Sequence, residues 1–238
     1  PQARLGPRSA GTDIPDPGDA VSIDSATAGG LLSLAADVGD LTLATGSAGT
    51  TATLSAADQM FLGSGVSAGG VLSLTAANGV VLTGNATLAG SAITVNNAID
   101  AQTAGAQSLT LNSAGATTLQ NVGATTPLAV ITTDAGGTTN LNGGTITTTG
   151  AQNFGDQVIL NTSVTATGTA GTAASVVGNG NDLTLNYTGQ TFINGNLTGV
   201  RNLVTGNGGT TALSGSITTS GTQTYNDAVT LAGATTLA

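Results

Sequence analysis

The sequence predicts an all-β protein folded as a single-stranded parallel β-helix (a β-solenoid) of about ten coils, at about 20 residues per coil. Three observations carry that expectation. A long phrase recurs: Ile146 to Leu160 reads Ile-Thr-Thr-Thr-Gly-Ala-Gln-Asn-Phe-Gly-Asp-Gln-Val-Ile-Leu, and Ile217 to Leu231 reads Ile-Thr-Thr-Ser-Gly-Thr-Gln-Thr-Tyr-Asn-Asp-Ala-Val-Thr-Leu. A second phrase, Ala28-Gly29-Gly30-Leu31-Leu32-Ser33-Leu34, returns forty positions later as Ala68-Gly69-Gly70-Val71-Leu72-Ser73-Leu74, which fits two coils. Between them the chain alternates apolar and hydroxylated residues in short runs, and modules of this size must stack on one another to bury an apolar face.

Residues 1–20 read as an extended N-terminal arm, with Arg4, Arg8, Pro7, Pro15, Pro17, Asp13, Asp16 and Asp19 and none of the alternation that follows. Residues 21–238 form the repeat domain. Leu41-Thr42-Leu43, Ala92-Ile93-Thr94-Val95, Ser108-Leu109-Thr110-Leu111, Leu183-Thr184-Leu185 and Ala228-Val229-Thr230-Leu231 have the period of half-buried strands. Asn142-Gly143-Gly144, Gly178-Asn179-Gly180-Asn181-Asp182 and Gly206-Asn207-Gly208-Gly209 supply the positive φ angles of tight corners. No window has an apolar stripe at helical spacing. Val158, Leu160, Val229 and Leu231 are expected to point inward in equivalent layers, because they hold the same places in the recurring phrase.

Composition narrows the chemistry. The chain has no His, Cys, Trp, Lys or Glu; its twelve acids are all Asp, its cationic side chains are Arg4, Arg8 and Arg201, and its net charge is −9. Three scattered Arg cannot build a phosphate-binding surface, so neither nucleic acid nor an anionic membrane is an expected partner. No 18-residue apolar run is present, so no membrane span is expected. Aromatics are 2% of residues while mean hydropathy is +0.25, a balance that suits the narrow, aliphatic interior of a solenoid.

Thr148-Thr149-Gly150-Ala151-Gln152-Asn153-Phe154 through Val158-Ile159-Leu160, its echo from Thr219 to Leu231, and Gly123-Ala124-Thr125-Thr126-Pro127-Leu128-Ala129-Val130-Ile131-Thr132 resemble the degenerate repeats of filamentous-haemagglutinin-like bacterial surface proteins. The likeness covers roughly residues 21–238. It implies a long right-handed parallel β-helix, export across an outer membrane, and a role in adhesion, aggregation or biofilm. That family's repeats carry no catalytic motif, and its secretion domain is not visible in this chain.

Several short patterns invite a sharper reading. Gly65-Val66-Ser67-Ala68-Gly69 has nucleophile-elbow spacing, but no His exists to serve as base and a strand follows where a helix is required. Gly178-Asn179-Gly180-Asn181-Asp182-Leu183-Thr184-Leu185 resembles one calcium-binding nonapeptide; without a second copy nine or eighteen residues away it reads as a capped corner. Asp156 and Asp227 hold equivalent repeat positions, which favours carboxylates that accept backbone N–H bonds over an acid/base pair. The threonine groups Thr147-Thr148-Thr149 and Thr165-Ala166-Thr167-Gly168-Thr169 read as isolated. Asn85, Asn161, Asn186 and Asn196 begin Asn-x-Ser/Thr triplets of the frequency chance gives in so Asn- and Thr-rich a chain. No residue is assigned to catalysis, to a cofactor or to a metal.

The expected function is a non-enzymatic structural β-solenoid of an extracellular or cell-surface bacterial fibre, as a self-assembling filament subunit or an adhesin stalk. The alternative is a carbohydrate-binding or polysaccharide-cleaving β-helix. Partners expected are further copies stacked end to end, since Ala234-Thr235-Thr236-Leu237-Ala238 stops inside a strand-like run, or a host or cell-surface glycan or protein. A start at Pro1 reads as a processed product or a fragment of a longer rod.

Overall fold

A computed structural model describes residues 20–238. The expected arm lies, apart from Ala20, outside the described residues. The rest is all-β, a parallel β-solenoid of about eleven turns, in line with the expected fold of about ten coils.

Three in-register ladders run its length, one on each face. The first joins Val21, Leu41, Met60, Val80, Ile99, Val122, Ile146, Ala166, Leu185, Thr205 and Tyr225. The second passes through Ala26, Gly46, Val66, Leu88, Leu111, Thr133, Phe154, Ala173, Ile193, Leu213 and Leu231. The third passes through Leu32, Ala52, Leu72, Ile93, Thr117, Thr139, Val158, Val176, Leu197, Ile217 and Leu237. At about 4.8 Å per rung, ten steps make a rod about 48 Å long. The interior is a continuous column of aliphatic side chains, with Leu41, Leu54, Leu62, Leu72, Leu88 and Leu109 fully buried. The forty-residue echo is two coils, as expected: Ala28 pairs with Ala48 and Ala48 with Ala68.

The cross-section changes partway along. In the first coils β1 (Val21–Ala28), β3 (Leu41–Ala48) and β5 (Met60–Ala68) run over the first and second faces without a break. From coil seven onward, β16 (Ala151–Leu160), β18 (Ala170–Val177), β23 (Thr210–Thr219) and β25 (Ala228–Leu237) reach over the second and third. The first face then becomes a five-stranded sheet of its own: β15 (Thr145–Thr147), β17 (Val164–Gly168), β19 (Leu183–Tyr187), β22 (Leu203–Thr205) and β24 (Gln223–Tyr225). The coils between are the longest on the first ladder, 23 residues from Ile99 to Val122 and 24 from Val122 to Ile146, against 19 or 20 elsewhere. Before the change, the corner between second and third faces is turned by glycine; Gly137 sits at φ +73 beside the Gly115 carbonyl, where a Cβ has no room. After it, the chain rounds the same corner through a bulge in β16 between Phe154 and Gln157.

The inward set needs one correction. Val158 and Leu160 are buried, at 4% and 0% exposure, but Val229 and Leu231 are 41% and 67% exposed. The two phrases do not occupy equivalent layers. Val158 belongs to the third face and Val229, paired with Thr211, to the second. A spacing of 71 residues is three coils and two faces, so the echo returns rotated. Val229 and Leu231 still pair with buried Thr211 and Leu213 and turn inward, but they stand in the eleventh coil, which no later coil covers here.

Candidate functional site

The polar side chains fall into two groups, corner caps on the outside and buried networks inside. The caps follow a simple rule: a short side chain in one coil accepts a backbone N–H from the next. Asp40 takes the amide of Gln59, Asn121 that of Thr145, Asp182 that of Asn202, and Asn202 that of Thr222, all at 3.0 to 3.1 Å. Asp, Asn and Ser suit these places because their oxygens reach one strand spacing without leaving the turn.

Asp182, the centre of the calcium-like phrase, is one of these caps. Its Oδ1 accepts from Arg201 Nε at 2.8 Å, and Oδ2 from Arg201 Nη2 at 2.6 Å, while Asn202 Nδ2 adds a bond at 2.9 Å. The Arg201 guanidinium holds this carboxyl down to a pKa of about 2. Asn179 and Asn181 in the same phrase donate to the Leu160 carbonyl. Ser67, in the nucleophile-elbow pattern, lies within β5 and pairs with Ser47 and Ala89 in neighbouring coils.

Asp156 and Asp227, equal in the sequence, have different surroundings. Asp227 Oδ1 accepts the amides of Gly208 and Gly209, the turn role expected of both. Asp156 is instead 4% exposed and accepts hydroxyls: Thr133 Oγ1 at 2.8 Å, and Thr139 Oγ1 at 3.0 Å to Oδ1 and 2.8 Å to Oδ2. Burial pushes its pKa up, Asp134 adds like charge, and the two hydroxyls pull the other way. Between Asp156 in coil seven and Asp227 in coil eleven lie about 18 Å of rod, beyond the reach of an acid/base pair.

A second buried network was not anticipated. Gln152, fully buried, donates through Nε2 to the carbonyls of Ile146 and Thr167, and its Oε1 accepts from Tyr187 Oη at 2.8 Å. Tyr187 reaches it from two coils away by lying over Gly171, where any Cβ would collide with the ring. Burial raises the pKa of this tyrosine. The glutamine recurs in the second copy of the phrase: Gln223 Nε2 likewise donates to the carbonyls of Ile217 and Ala238, and there the hydroxyl on Oε1 comes from Tyr225 two residues on, at the place where the first copy has Phe154. Beside Tyr187 is a small apolar cavity of about 30 Å³, bordered by Phe154, Ile193 and the unpartnered hydroxyl of Thr191; it is the size of one water, far below that of a sugar.

The threonine groups are less isolated than they look in the sequence. Thr145 and Thr147 stand beside Thr165 and Thr167 on adjacent strands, and the rank ends within two coils at Asn186 and Val204. Phe61 and Phe192, half-buried on outward positions, belong to the third and ninth coils. Among the described residues no helix is long and apolar enough to cross a membrane, and no three acidic, Cys or His side chains gather as a metal site. Comparison of the chain with family models, with curated proteins and with solved structures finds no match in any of the three.

Proposed function

We propose that this chain is a non-enzymatic structural element, a solenoid segment of an extracellular or cell-surface bacterial fibre that serves adhesion, aggregation or biofilm. The observation that supports this reading is the continuity of the three ladders: each rung bonds to the next over the whole described length, around a largely aliphatic column. A section of that kind resists bending and holds its ends a fixed distance apart. Gln152 and Asp156 are engaged with hydroxyls and backbone carbonyls of neighbouring coils, where they fix the register. A fibre of such sections is made either from one long chain or from copies stacked end to end.

The carbohydrate reading needs aromatic side chains gathered on one face, and Phe61 and Phe192 are six coils apart on different faces. Electron microscopy of the purified protein, with immunogold labelling of the source cells, tests the proposal. Surface-attached fibres carrying the label, resolving in vitro into rods or open filaments, are the expected result. Label confined to the cell interior, or depolymerisation of a polysaccharide by the purified protein, overturns it.

A further inference from the structure

Asp156 is the one buried carboxylate among the described residues, and it stands where the rod changes section. Its two hydroxyl donors come from different faces of the preceding coil: Thr133 is on the second ladder in β13 (Ile131–Thr133), Thr139 on the third in β14 (Thr138–Leu141). One side chain thus fastens two faces of coil six to the corner of coil seven. No cation faces it. β13, β14 and β18 carry no ionisable side chain, and Asp134, just after β13, has the same sign. Tyr187, from β19, ends on Gln152, and Arg201, the only cation among the described residues, is bound to Asp182.

We propose that Asp156 is a proton-operated lock between the two halves of the rod. Protonated, the carboxyl holds coils six and seven together as a neutral hydrogen-bonded group; ionised, it is a buried charge without a counter-ion, and opening of the junction lets water solvate it. Burial already raises its pKa above the ordinary 3.8. A group whose folded pKa is raised contributes stability that is full below its unfolded value and is lost as pH rises through the folded one. The junction is therefore tightest in acid.

Hydrogen exchange on the whole chain tests the lock, with amides of 131–141 and 151–160 corrected for intrinsic rates and referred to those of 41–56 in the same sample. The expected result is an opening constant at the junction that rises up to about tenfold per pH unit above 3.8 and levels off past the pKa of Asp156, while the reference strands stay flat. Asp156→Asn removes the rise. A flat junction, a rise shared by the reference strands, or a rise that persists in the variant overturns the lock. If the variant does not fold, carboxyl-carbon NMR of the unaltered protein decides: titration of Asp156 above 3.8 supports the proposal, and titration at or below it overturns it.

Discussion

Leu160 and Leu231 hold the same place in the recurring phrase, yet one is fully buried and the other 67% exposed. The pair makes the sharpest test of the coil register. Leu160→Asp buries an unpaired charge and is expected to lower stability by more than about 4 kcal/mol, whereas Leu231→Asp stays within about 1 kcal/mol. Thermal unfolding of the two variants side by side checks it; equal losses mean that the coils are threaded differently. Gly171→Ala is a second residue-scale test, since the new methyl meets the Tyr187 ring. It is expected to destabilise by about 1–3 kcal/mol, and Tyr187→Leu in the same chain should recover part of that loss. Neither contact is visible in the sequence, because Gly171 and Tyr187 lie in different coils and only the register brings them together. The same ignorance of register made Asp156 and Asp227 look alike: identity of a residue and its neighbours predicts a turn, but not which wall of the tube the turn faces.

At the scale of the element, the portable unit of this chain is a corner. Ile146 to Gln152 and Ile217 to Gln223 make the same bonds, with the glutamine amide returning to the carbonyl six residues before it and to one fifteen residues after it. The first corner joins the first and second faces; the second joins the third and first. Their energies differ because their surroundings do. Gln152→Ala takes a donor from the carbonyls of Ile146 and Thr167 and leaves the buried Tyr187 hydroxyl without its acceptor, and is expected to cost about 2–3 kcal/mol, while Gln223→Ala, half-buried in the eleventh coil, costs about 1 kcal/mol or less. Chemical denaturation of both variants gives the comparison. Strands and corners were legible in the sequence from apolar alternation and glycine; the bonds of Gln152 were legible only as a recurring letter, since Thr167 and Tyr187 lie in later coils. Arg201→Ala should leave the melting temperature almost unchanged, because both partners of that ion pair are open to solvent.

For the whole molecule, parallel rungs with nearest-neighbour contacts predict that protection from exchange declines from the middle coils toward both ends, and mass spectrometry of peptides along the chain reads that gradient. Uniform protection from β1 to β25 would mean that the rod melts as one unit. Fold class was readable in the sequence because a solenoid has one local rule applied many times, and the expected total of about ten coils agrees with the about eleven present. The rotation of the 71-residue phrase has a mechanical meaning. Because the unit that recurs closes a corner, adding or removing one such unit of sequence would not simply lengthen or shorten the rod. It would also turn everything beyond it by a third of a revolution, so the compass bearing at which the far end presents its surface is written in the count of corners, independently of its reach.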